Sequence, residues 1–205
     1  MISLFAQENK ASKPLPGSLA WRAARAKASG FTETSILSME THVYTPPLQQ
    51  TASNSTLLNG TVVATVTAAD DYHIYQWYRI AVRSRTGATP TKEIAIASAI
   101  PSRLGKAAPN EIVLQMLGGT EIVDGVRITE AGPDPLAIGT TYALFVTPTN
   151  QPFFHLASNT HPLALDANGK VLHSAANQLS FDRQTRSFTT YRDLEDRVTA
   201  LRIRK

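Results

Sequence analysis

From Asn110 to Pro148 the chain reads N-E-I-V-L-Q-M-L-G-G-T-E-I-V-D-G-V-R-I-T-E-A-G-P-D-P-L-A-I-G-T-T-Y-A-L-F-V-T-P. Ile112, Leu114 and Met116 alternate with Val113, Gln115 and Leu117 until Gly118-Gly119 stops the run. Val126-Arg127-Ile128-Thr129 starts again after Asp124-Gly125, and Tyr142-Ala143-Leu144-Phe145-Val146 is entered through Ile138-Gly139. Apolar runs of about four to eight residues, cut by glycine and proline, are strands joined by turns rather than helices. This stretch predicts a mainly β domain, either a barrel or a sandwich.

Upstream, Leu57 to Ala68 forms a long strand pattern with Gly60 inside it, the mark of a bulge or sharp bend. Asp70-Asp71 makes a turn, and residues 74–84 return as its hairpin partner. Downstream, Phe153-Phe154-His155-Leu156 gives a further strand opened by Pro152. Asp166-Ala167-Asn168-Gly169 predicts a turn between 163–165 and 170–172. Strands are therefore expected near 57–69, 73–84, 111–117, 141–147 and 152–157. Residues 91–100 fit either a short helix or a strand.

Helices are expected at the flanks. Ser18 is placed to cap a helix ending at Ser29 before Gly30, with Leu19, Ala23 and Ala26 as its apolar stripe. A second short helix is predicted from Glu33 to Val43, with a loop from Gln49 to Asn54. Tyr191, Leu194, Val198 and Leu201 recur at helical spacing, so Thr190 to Arg204 is a C-terminal helix. The expected division is a flexible lead over 1–17, a helical extension over 18–54, the β domain over 55–175 and the terminal helix over 176–205. Ser3-Leu4-Phe5-Ala6 before the polar Gln7 to Lys10 resembles the end of a signal peptide, or else a short frayed start.

Composition limits the chemistry. The chain has 205 residues, 42% of them apolar and 18% charged, which suits one ordinary globular domain rather than a disordered chain. The absence of cysteine excludes disulfides, thiol nucleophiles and thiolate metal sites. No apolar run approaches the roughly 20 residues that a membrane-spanning helix needs. The net charge of +4 is a mild basic excess compatible with many partners. His42, His73, His155, His161 and His173 show no metal-ligand spacing, and no phosphate-cradling or nucleophile motif is present, so no cofactor, metal or catalytic set is expected.

The second long strand supplies the candidate site. A period of two puts Ile74, Gln76, Tyr78, Ile80 and Val82 on one face and Tyr75, Trp77, Arg79, Ala81 and Arg83 on the other. With Ile80 and Val82 inward, Tyr75, Trp77, Arg79 and Arg83 line up outside. Aromatics flanked by cations are the stacking platform of barrels that bind single-stranded nucleic acid. The competing reading is that a flanking helix lies over Tyr75 and Trp77, because both helices need an apolar surface to pack on.

The order of these elements resembles a group of bacterial exported proteins that is itself similar to the five-stranded OB-type barrel of tissue inhibitors of metalloproteinases and netrin modules. Gly60-Thr61-Val62-Val63 matches the first strand of that pattern, Gly118-Gly119 its glycine pair, and Gly139, Tyr142, Leu144 and Phe145 its last motif. The resemblance spans about residues 55–160 and implies an OB-like barrel outside the cytoplasm, with a non-enzymatic binding or interaction role toward a protein or cell-envelope partner. A nucleic-acid role is the alternative. The eukaryotic inhibitors engage zinc through an N-terminal cysteine, which this chain lacks, so that mode of inhibition is not implied.

Overall fold

Two strands much longer than the usual five or six residues carry the architecture. These are β2 (Thr56–Ala69) and β3 (Ile74–Thr86), rich in the β-branched and aromatic residues that favour extended chain. In the computed structural model, which describes residues 13–37, 48–87, 91–96, 99–157, 160–172 and 188–203, the chain is mainly β with helices at its flanks. The remaining strands of the main sheet are β4 (Glu111–Leu117), β7 (Thr141–Pro148), β8 (Phe154–Leu156) and β9 (Leu163–Leu165). Between them in sequence, β5 (Gly119–Val123) and β6 (Val126–Glu130) join β1 (Glu33–Ile36) in a separate three-stranded sheet ordered β1-β6-β5.

The main sheet runs β2-β3-β4-β8-β7-β9, and β2 also pairs with β7. β2, β3 and β4 form an antiparallel meander, β8 lies parallel to β4, and β7 is antiparallel to both β8 and β2. All five of these strands turn one face toward a single apolar cluster, which includes Leu58, Val62, Ile80, Leu114, Tyr142, Leu144 and Val146. That face is called inner below. The placement of Ile80 inward and the sharing of a face by Tyr142 and Leu144 agree with the sequence pattern.

Two bulges adjust the hairpin. Gly60 pairs with Val82 while Asn59 pairs with Ser84, so Arg83 is an extra residue with no cross-strand partner. Val62 pairs with Ile80 and Ala64 with Arg79, leaving Val63 as the extra residue on β2. Gly60 is required at its step because a Cβ there would lie 2.4 Å from the Ile80 Cγ2. The glycine pair after β4 has a similar reason. Gly118 has φ of 112°, and a Cβ on it would lie 2.8 Å from the Gly132 Cα, so two backbones cross where no side chain fits.

The outer face of β7 is covered by helices. Ala143 and Phe145 pack with Leu48 and Ala52 of α2 (Leu48–Asn54) and with Tyr191, Leu194 and Val198 of α3 (Tyr191–Ile203). Arg202 ties the two helices by donating to the carbonyls of Ala52 and Ser55. α1 (Leu19–Ala28) starts at Ser18, whose hydroxyl accepts the Trp21 N–H at 3.2 Å. Its buried Leu19, Ala23 and Ala26 pack against Ile36, Val126 and Ile128 of the small sheet and Ile74 of β3.

Several expectations are corrected. Glu33 to Ile36 is a strand rather than the start of a helix, because parallel pairing with β6 sets Glu33 beside Arg127 and Ile36 beside Glu130. Residues 38–43 of that expected helix lie outside the described residues. The expected loop over Gln49–Asn54 is α2, held by burial of Leu48, Thr51 and Ala52. Gly119–Val123 is an additional strand, folded back on β6 through Asp124 and Gly125, both at positive φ as a tight Asp-Gly hairpin demands. Residues 91–96 take neither helix nor strand and touch the sheet through an isolated bridge from Glu93 to Thr149.

Candidate functional site

The four residues singled out on the second strand do not share one environment. Tyr75 and Trp77 point outward from β3 as expected, but they are 2% and 1% exposed. Their cover is not a flanking helix. It consists of Phe153 and of Leu104, Ala107, Ile100 and Ala95 from the connection between β3 and β4. Trp77 meets Phe153 edge-on, with ring centroids 5.0 Å apart, and Tyr75 stands 6.4 Å from Trp77. The expected open aromatic face is thereby corrected: both rings belong to the interior. The helices take other apolar surfaces, α1 on the small sheet and α3 on β7, which leaves β3 to the long connection.

Arg79 belongs to the same cover. Its Nη1 donates to the Lys106 carbonyl at 2.7 Å and its Nε lies 3.7 Å from Glu111 Oε2. That second distance is an ion contact, too long for a hydrogen bond. The cover is pinned at its other end by His155, whose Nε2 lies 2.9 Å from Gln115 Oε1 and whose Nδ1 lies 3.3 Å from Glu93 Oε2. Glu93 donates its N–H to Pro148 and accepts from Asn150 through its carbonyl. His155 is thus a fastening point between strand and connection. Among the described residues no three His, Asp or Glu side chains gather where a metal ion could sit.

A second polar corner fastens the small sheet to the hairpin. Glu130, 2% exposed on β6, accepts the Ile74 N–H and lies 2.8 Å from His73 Nδ1. Asp70 closes the turn by accepting N–H groups from Tyr72 and His73 and the Tyr75 hydroxyl, each at 2.8 Å. Burial draws the Asp70 carboxyl upward, but those donors and the nearby His73 outweigh it and hold the pKa below its ordinary 3.8. Burial, then the bond to Asp70, pushes the Tyr75 phenol far above its ordinary value.

A carboxyl held low contributes stability above its unfolded pKa, and that contribution is lost as pH falls through the folded value. A phenol held high acts in the opposite sense, and its contribution fades as pH rises above about 10. The urea midpoint of the chain should therefore drop as the pH falls below about 4, and Asp70→Asn should reduce that drop. An unchanged acid limb in Asp70→Asn would contradict the assignment.

Arg83 has a different fate. It is the extra residue of its bulge, and it lines a cleft of about 280 Å³ on the outer side, at the other end of β3 from Tyr75 and Trp77. The cleft is walled by Asn59 of β2, Thr141 of β7, the Leu165–Gly169 turn, and Thr190, Tyr191 and Arg192 at the start of α3. Neither Arg83 nor Arg192 has an ion pair among the described residues. The carboxylates nearby are already engaged. Asp166 accepts from the N–H groups of Asn168 and Lys170, and Asp193 caps α3 through Thr190. Tyr191 is fixed by Ser84, whose hydroxyl lies 3.1 Å from its own. Asn59 keeps a buried Oδ1 without a partner among the described residues.

The period of two put Arg83 outside but carries no sign of the cleft, whose walls come from distant parts of the chain. Gly60 marked the bulge at which Arg83 is the extra residue. Compared with family models, with curated proteins and with solved structures, the chain matches none of them.

Proposed function

We propose that this chain is a non-enzymatic binding or interaction module, built on a closed OB-like barrel and working outside the cytoplasm. It receives its ligand in the Arg83 cleft. The barrel reading is supported by the circuit of pairings from β2 through β3, β4, β8 and β7 back to β2, with the fifth strand entering parallel to the third. A five-stranded Greek-key barrel of the OB type has that character. The extracytoplasmic location rests on the resemblance to exported proteins carried by Gly60-Thr61-Val62-Val63, Gly118-Gly119 and the Gly139 to Phe145 motif. The partner under this reading is a protein or a component of the cell envelope.

One observation carries the binding role: Arg83, at a bulge of β3, lines a cleft walled by four other parts of the chain, with its guanidinium not consumed by an ion pair among the described residues. The nucleic-acid alternative loses its stacking platform, since Tyr75 and Trp77 are roofed by the chain itself. Amide shift mapping of the full chain against a set of neutral and charged fragments tests the proposal. Shifts should concentrate at Asn168, Gly169 and Arg192. Shifts clustered instead around Trp77 and Leu104, or none anywhere, would overturn it.

A further inference from the structure

The geometry points to a small organic oxyanion, a carboxylate or phosphate ester, as the ligand of the Arg83 cleft. This rests on the cleft being the binding site, as argued above, and adds the chemistry of what it takes.

Among the described residues the charged side chains lining the cleft are Arg83, Arg192 and Asp166, two positive and one negative. Asp166 accepts both N–H groups of its own turn on Oδ1 and keeps its negative charge, so the lining is positive by a single charge. The start of α3 adds nothing to the case, since Thr190 and Asp193 already cap each other there. What remains is a pair of guanidinium groups reaching one cleft from different elements, β3 and α3. Guanidinium presents a planar fork of N–H donors that matches the two oxygens of a carboxylate or the face of a phosphate, and it stays charged at every working pH.

Size argues for an organic anion over a bare inorganic one. The cleft holds about 280 Å³, close to the low end of the ~300–1,000 Å³ usual for small-molecule sites. At ~30 Å³ per water molecule, that is room for about nine waters, well beyond one phosphate group. Leu165 and Ala167 give the wall an aliphatic part, whereas Thr141, Tyr191 and Asn168 offer hydroxyl and amide groups. An anion with a compact organic body fits this lining.

Calorimetric titration of the full chain at low salt tests the inference, with benzoate, phenyl phosphate and benzyl alcohol as probes of matched ring and different charge. Benzoate or phenyl phosphate should bind in the millimolar range or tighter, and whichever binds more tightly identifies carboxylate or phosphate as the preferred group. Arg83→Ala and Arg192→Ala, both at exposed positions, should each weaken that binding at least about tenfold while leaving the denaturation midpoint in place. Arg127→Ala, an exposed arginine on the small sheet, should leave it unchanged. Equal binding of benzyl alcohol would overturn the anion assignment while sparing the cleft as a site. No binding of any probe at about 10 mM, or binding indifferent to Arg83 and Arg192, would overturn it as well.

Discussion

Trp77→Ala should lower the stability of the chain by about 3–5 kcal/mol. The side chain is 1% exposed, packs edge-on against Phe153 at 5.0 Å and shares its cluster with Tyr75, Leu104 and Val113. Its removal leaves a cavity between the main sheet and the connection that roofs it, and it dissolves an aromatic pair that contributes about 0.5–1.5 kcal/mol beyond area burial. The connection touches the sheet through few apolar residues, so the loss of one large anchor should also loosen residues 99–107. Chemical denaturation measures the loss. A change below about 1 kcal/mol, the range of surface positions, would mean that the roof does not seat on this ring.

Leu144→Ala should cost about 2–5 kcal/mol by the same mechanism at the centre of the inner cluster. β7 is the strand on which the architecture converges, since it pairs with β2, β8 and β9 and is buried over its whole length. Leu144 is 0% exposed on its inner face, between Tyr142 and Val146, while Phe145 on the outer face lies under α2 and α3. A void at Leu144 cannot be filled from outside, because the strand itself and two helices stand in the way. A loss of under about 1 kcal/mol on denaturation would show that the faces have been exchanged.

The parts of the fold that were legible in the sequence are those set by local chemistry. The Ser18 cap, the Asp70 turn and the Asp166 turn each depend on a side chain bonding to nearby backbone, and each stands where the residue types place it. The alternation in β4 and β7 was legible because both strands are regular throughout. Long-range pairing was not legible. Glu33 to Ile36 carries a pattern short enough to suit a helix turn or a strand, and only the free edge of β6 decides between them. The 49–54 helix is equally dependent on what it covers, since its Leu48 and Ala52 gain partners only from Ala143 and Phe145 of β7 and from α3.

The candidate site divided along the same line. Periodicity correctly sent Tyr75 and Trp77 to the outer face, but it carries no information about what lies over them. Nothing in residues 91–107 looks like a lid, because Leu104, Ile100 and Ala107 are scattered apolar residues in an irregular segment. Arg83 keeps the outer face that the period of two gives it, but at the far end of β3, away from the aromatic rings. The inserted residue reverses the positions after it, so Ser84 turns outward to Tyr191.

The proposal that the Arg83 cleft, not the aromatic face, binds the ligand depends above all on Trp77 being interior. Of the two tryptophans, Trp21 is half-buried under Arg25 at 5.3 Å, so Trp21→Phe leaves Trp77 as the single reporter. Acrylamide quenching of that variant in native buffer measures access to the ring directly. The account predicts emission that is scarcely quenched until denaturant unfolds the chain, whereas native quenching as strong as that of free N-acetyltryptophanamide would contradict it.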